Sequence, residues 1–153
     1  FMAARTDPAR HEPLYPGAEQ TIAALARRDD IVLGIATGKS RRGVVRLFDR
    51  FDWHRHFVTI QTADDNPSKP HPAMIDRAMA EAGVGPEATV MIGDTAFDMA
   101  MAVNAEVGAI GVGWGYHTIA EIEDAGAHAV VAEFGDLIGA IDARLALQRG
   151  RGR

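Results

Sequence analysis

A chain of 153 residues has the length of one ordinary domain, and 47% hydrophobic with 24% charged residues is a globular mix, not a disordered or fibrous one. The net charge of -5 argues against a broad nucleic-acid-binding face, and no apolar run approaches the roughly 20 residues that span a bilayer. Cysteine is absent, which excludes disulfides, thiolate metal sites and cysteine nucleophiles together. With no apolar signal-peptide core behind Phe1-Met2-Ala3-Ala4-Arg5, the expected compartment is the cytoplasm.

The first sixteen residues carry three prolines, mixed charge and no period, and read as a connection. Residues 17–28 then place Ile22, Ala23, Leu25 and Ala26 at helical spacing. Residues 31–36 (IVLGIA) read as a strand buried on both faces. Ser40 is the expected N-cap of a helix through Val44, Val45, Leu47 and Phe48. Residues 57–60 form the second strand, and a proline-punctuated loop over 66–72 leads into a helix over 73–82 closed by Gly83.

Residues 89–92 are the third strand, followed by a helix bearing Phe97, Met99, Met101 and Val103, whose methionines need no cofactor to explain them. Residues 107–112 are the fourth strand, followed by a Gly-Trp-Gly loop, a helix over 119–124, a strand over 129–131 and a helix over 134–147. Strands apolar on both sides and alternating with helices predict an α/β fold, a parallel sheet in a three-layer α/β/α arrangement. The expected division is a connection over 1–16, a core over 17–148 and a basic tail over 149–153.

In open parallel sheets ligands bind beyond the carboxyl ends of the strands. At those ends stand Thr37 and Gly38, Asp94 and Asp98, with Lys69 in an intervening loop. Thr37 offers a hydroxyl, and Gly38 lets an anion approach the backbone near a helix N-terminus. Lys69 is a compact cation able to neutralise phosphoryl oxygens. Asp94 and Asp98 lie four apart at a helix start, facing one pocket, and Mg²⁺ commonly takes only one or two protein carboxylates. Each residue alone has an ordinary explanation: Thr37 as a helix cap, Lys69 as a solvated lysine, the aspartates as partners of a helix dipole. Their combination on one sheet edge suits a phosphate held with Mg²⁺.

Ile31 to Ser40 (IVLGIATGKS), Ser68-Lys-Pro-His-Pro72 and Met91-Ile-Gly-Asp-Thr-Ala-Phe-Asp98 resemble motifs II, III and IV of the haloacid dehalogenase-like (HAD) phosphatases. Leu14-Tyr-Pro-Gly17 and Gly113-Trp-Gly-Tyr-His117 are similar to the phosphoglycolate phosphatase-like branch, in which a small helical cap covers the site. The resemblance implies that Thr37 and the Gly38 amide bind the phosphoryl group, that Lys69 stabilises its charge and that Asp94 ligates Mg²⁺. Asp98 would orient Lys69 or a metal-bound water. Gly38 stands where relatives often carry asparagine. The implied activity is Mg²⁺-dependent hydrolysis of a small phosphorylated substrate through an aspartyl-phosphate, with phosphoglycolate, a sugar phosphate or a nucleotide as candidates.

The family's first motif, a strand ending in Asp-x-Asp, has no counterpart here: Asp7 precedes Pro8-Ala9, and Asp29-Asp30 precedes a strand. The resemblance puts that strand between the ones ending at Thr37 and Asp94. Its absence predicts a gap of about 10 Å with two unpaired edges. The chain is therefore expected to represent the later part of a longer protein, with the nucleophile elsewhere and no turnover alone.

Two other readings follow from the same residues. A non-catalytic module could retain the pocket for binding or scaffolding. Gly111-Val-Gly-Trp-Gly115 with Glu133 has the outline of a dinucleotide-binding fingerprint, but its third glycine is one position early and Tyr116 stands where a small residue is needed. The histidines show no metal-ligand spacing; His71, beside Lys69, reads as a cap or surface residue.

Overall fold

Helix and strand alternate through the computed structural model, which describes residues 15–115 and 117–151. The expected connection up to Leu14, and Tyr116, lie outside the described residues. The elements are α1 (Ala18–Ala26), β1 (Leu33–Thr37), α2 (Arg41–Phe51), β2 (Phe57–Thr62), α3 (Ala73–Ala82) and β3 (Val90–Gly93). They continue through α4 (Ala96–Asn104), β4 (Gly108–Val112), α5 (Ile119–Asp124), β5 (Ala129–Val131) and α6 (Leu137–Arg151).

Local chemistry accounts for the boundaries. The Ser40 hydroxyl accepts the Gly43 N–H at 3.1 Å and starts α2. His71 accepts the Ala73 N–H through Nδ1 at 3.1 Å, so the histidine beside the lysine loop caps α3. Gly83 closes that helix in the left-handed conformation. The last helix departs from expectation: residues 134–136 form one 3₁₀ turn, and α6 starts at Leu137 and runs to Arg151, through part of the expected tail. Among the described residues no helix is long and apolar enough to cross a membrane. Ser40→Ala is expected to remove the α2 cap at a cost of about 1 kcal/mol, read as a lower urea midpoint at unchanged slope.

The parallel sheet is divided in two, as the missing strand predicts. β1 pairs in parallel with β2, from Leu33 opposite Phe57 to Thr37 opposite Thr62. β3, β4 and β5 form a separate parallel sheet with β4 in the middle. The β2–α3–β3 crossover returns the chain to the starting edge, so β3 runs with β1 and β2. Between the facing edges of β1 and β3 lies a cavity of about 310 Å³, where the gap was expected.

Side-chain alternation sorts the helices onto two faces. Met91 and Ala109 pack with Met74, Ile75 and Met79 of α3, Met99 and Met101 of α4 and Ile122 of α5. Their strand neighbours Val90, Ile92, Ile110 and Val112 pack with Ala18 and Leu25 of α1 and Leu137, Ile141 and Leu145 of α6. The three-layer fold is thus present on both sides of the cavity. A third cluster, Ile22, Val44, Leu47, Phe48 and Trp53, backs β1 and β2, with Phe48 stacked on Phe57 at 5.1 Å between ring centroids.

Burial records the divided sheet. All five residues of β4 are buried, as expected of a parallel strand with neighbours on both edges and helices on both faces. In β1 only Thr37 is buried, and Gly34 is exposed, so the expected burial on both faces is not met there. β2 is two residues longer than expected. Its buried Thr59 and Gln61 are both satisfied by the Glu81 carboxylate of α3, which lets polar residues sit under that helix.

Candidate active site

β1 delivers Thr37 to the sheet edge at 2% exposure, its hydroxyl accepting the Lys39 N–H at 3.1 Å. Gly38 follows on the surface, with open space where a side chain would stand. The neighbouring helix terminus is partly engaged: the Arg41 N–H donates to the Asp64 carboxylate at 2.8 Å, and Gly43 donates to Ser40. Any anion at this edge therefore meets the Thr37–Gly38 turn and not those two amides of α2.

Lys69 and Asp98, distant in sequence, meet at 2.5 Å between Nζ and Oδ1. The Lys69 side chain is 16% exposed and that of Asp98 only 3%. The Lys69–Pro70 peptide is cis, and the Pro70 carbonyl accepts from the Asn104 side chain at 2.9 Å, which docks the lysine loop on α4. The other Asp98 oxygen accepts the Thr95 N–H at 3.2 Å and the Thr95 hydroxyl at 3.0 Å, while the Asp98 N–H donates to Thr95 Oγ1. This reciprocal cap fixes the start of α4 and aims the carboxylate at Lys69.

Burial pushes the Asp98 carboxyl up, but attraction to the Lys69 ammonium, with hydrogen bonds from Lys69 and Thr95, leaves it below the ordinary carboxylate value of 3.8. A carboxyl depressed by folding contributes stability that is present above its unfolded value and lost as pH falls through its folded value. Wild-type stability is therefore expected to fall more steeply than that of Asp98→Asn on acidification below pH 3.8, as measured by urea unfolding at a series of pH values.

Asp94 lies four residues before Asp98, in the bend between β3 and α4, at 8% exposure. Among the described residues its carboxylate has no hydrogen-bond or ion-pair partner. An acidic oxygen pair with no partner among the described residues, at the carboxyl end of a parallel strand, fits a hard divalent ion such as Mg²⁺. No group of three or more acidic or histidine ligands exists among the described residues.

The loop after β4 closes over this turn. A Cβ at Gly115 would collide with the Asp94 side chain, and one at Gly93 with Asp98, so both positions need glycine for close approach. His117 donates its backbone N–H to the Asp94 carbonyl at 3.3 Å and accepts the Ala96 N–H on Nδ1 at 2.8 Å. Its ring lies 5.7 Å from that of Phe97. His117 closes the Gly-Trp-Gly-Tyr-His segment, and its place after the loop beyond a central strand is the sequence signal for these contacts. Thr95, absent from the sequence expectations, has a legible signal too in its Thr-x-x-Asp cap spacing. Trp114 points elsewhere, packing on Phe134 at 4.3 Å and on Tyr15, which makes it a loop-packing residue.

The structure thus joins Lys69 to Asp98, and Asp98 through Thr95 to the turn that carries Asp94. Thr37 and Gly38 stand on the other side of the cavity, with no hydrogen bond to that group among the described residues.

Residues 3–112 match the model of the haloacid dehalogenase-like hydrolases, and the chain belongs to that family. It is 34% identical over 136 residues to a Dickeya dadantii protein named probable phosphatase IndB, covering 88% of this chain and 58% of that one. It is 30% identical to phosphoglycolate phosphatase 1 of Pseudomonas aeruginosa, across 93% of this chain and 52% of that one. The crystal structure of a hydrolase from Pseudomonas syringae superposes with a TM-score of 0.74 at 26% identity, covering 85% of this chain and 60% of that one. The chain therefore spans little more than half the length of these relatives.

Proposed function

We propose that this chain carries the phosphate- and metal-anchoring half of a Mg²⁺-dependent phosphomonoester hydrolase. The observation that carries the reading is Asp94, a residue 8% exposed whose carboxylate has no partner among the described residues, four positions before Asp98 of a buried ammonium–carboxylate pair with Lys69. Asp94 would hold the metal, which when bound supplies positive charge to the phosphoryl oxygens. Lys69, held by Asp98, would face the same developing charge, and the Thr37 hydroxyl with the Gly38 amide would position the phosphoryl group from the opposite strand. Hydrolysis through an aspartyl-phosphate needs a nucleophilic aspartate, and this sequence contains no Asp-x-Asp. The proposed substrate is a small phosphorylated acid of the phosphoglycolate kind, supported by the name of the Pseudomonas aeruginosa relative.

Titration calorimetry with Mg²⁺ and orthophosphate tests the anchoring half directly. Each ligand is expected to tighten the other. Asp94→Asn should abolish the Mg²⁺ heat, and Thr37→Ala should weaken orthophosphate on the order of tenfold, as for loss of one hydrogen bond to a charged group. Mg²⁺ binding unchanged by Asp94→Asn would remove the basis of the proposal. A binding module would give the same titration, yet the full polypeptide carrying this chain would release no phosphate from any ester.

A further inference from the structure

The two aspartates after β3 are held in different ways. Asp98 is fixed by Lys69 and by its hydrogen bonds with Thr95. The Asp94 carboxylate has no partner among the described residues, so its place is set by the backbone of the bend Asp94-Thr95-Ala96. Mg²⁺ demands near-octahedral oxygens at roughly 2.0–2.1 Å, and a carboxylate on a loose bend meets that demand badly.

One residue of the neighbouring loop grips both ends of this bend. The His117 backbone N–H donates to the Asp94 carbonyl at 3.3 Å, and His117 Nδ1 accepts the Ala96 N–H at 2.8 Å. Ala96 opens α4, so its N–H is a helix-start donor with no acceptor inside the helix, and the imidazole supplies one. An accepting Nδ1 carries no hydrogen, which puts the ring proton on Nε2. Glu121 does not compete for Nδ1: its Oε2 stands 3.8 Å away, beyond hydrogen-bond reach, and its Oε1 serves the Thr118 cap. The same loop also passes Asp94 at Gly115, where a Cβ would strike the aspartate side chain.

We propose that His117 is the positioning residue for Asp94: by capping Ala96, its ring locks the bend so that the carboxylate holds the geometry Mg²⁺ requires. The inference deepens the proposed function and rests on its reading of Asp94 as the metal anchor. The backbone half of the clamp survives most substitutions, whereas the side-chain half needs an acceptor at the Nδ1 position. Asparagine offers one, because its Oδ1 is the same number of bonds from Cα as Nδ1. Phenylalanine keeps a ring beside Phe97, whose centroid is 5.7 Å from that of His117, but has no acceptor.

Titration calorimetry of Mg²⁺ and of Ca²⁺ into the full polypeptide that carries this chain tests the assignment, with His117→Phe, His117→Asn and Asp94→Asn beside the wild type. His117→Phe is expected to weaken Mg²⁺ by about tenfold or more and Ca²⁺ by less than about threefold, because Ca²⁺ tolerates irregular oxygen geometry. His117→Asn should restore Mg²⁺ binding to within about threefold of wild type, since the acceptor is back. Without metal, the Ala96 amide should exchange faster in His117→Phe and not in His117→Asn. A structural role alone would lower the stability of His117→Phe and leave its preference for Mg²⁺ over Ca²⁺ unchanged. An equal loss for both ions, an equal loss in the Phe and Asn variants, no loss, or unchanged Ala96 exchange would overturn the assignment. Asp94→Asn separates this from the reading beneath it. If Asp94→Asn leaves Mg²⁺ binding intact, or the wild type binds none, both fall. If Asp94→Asn abolishes binding while His117→Phe changes nothing, the role of His117 falls alone.

Discussion

Lys69→Met is expected to cost about 3–5 kcal/mol of folding stability, the loss that follows when one partner of a buried ion pair is removed and the other stays charged. The stranded group is Asp98, whose side chain is 3% exposed and whose remaining oxygen already serves the Thr95 cap. The same change removes one of two ties between the lysine loop and α4, leaving the Pro70–Asn104 bond, so hydrogen exchange should quicken over both 66–72 and the first turn of α4. The double variant Lys69→Met with Asp98→Asn should recover part of the loss, because the buried charge is gone. Urea unfolding of the three variants separates the terms. A loss under about 1 kcal/mol for Lys69→Met would show that the pair behaves like a solvated one.

Phe48→Ala is expected to cost a further class of stability, about 3–5 kcal/mol, for a different reason. Phe48 is 1% exposed and forms the centre of the aromatic cluster behind β1 and β2, touching Trp53, His54 and Phe57. No strand pairing ties this half to the other sheet among the described residues. The loss should therefore be concentrated locally: β1, β2 and α2 are expected to lose exchange protection at lower urea than β4 and α6. Simultaneous loss across both sheets would mean that the helices alone couple the halves fully.

Most of the elements were legible in the sequence because they carry their own local signals. Ser40 and Gly83 mark helix ends by their side-chain and backbone chemistry, and β4 is apolar at every position. The division of the sheet was legible only through the family resemblance. Periodicity made residues 31–36 a strand buried on both faces, and periodicity reports side-chain polarity, not whether a neighbouring strand is there. The site was legible as a set of residue types at strand ends. The pairing of Lys69 with Asp98 across 29 positions follows from the docking of a loop on α4, which spacing within either segment does not encode. His117 was hidden for a similar reason: its bond to Ala96 is made by a loop folding back over another element.

Phosphate release by the full polypeptide that carries this chain, from 2-phosphoglycolate with and without Mg²⁺, tests the central claim most directly. The account predicts release that requires Mg²⁺ and falls on the order of 10²–10³-fold or more in Asp94→Asn, the scale for losing one preorganised charge-stabilising group. Release at equal rates in a metal chelator, or undiminished by Asp94→Asn, would contradict it.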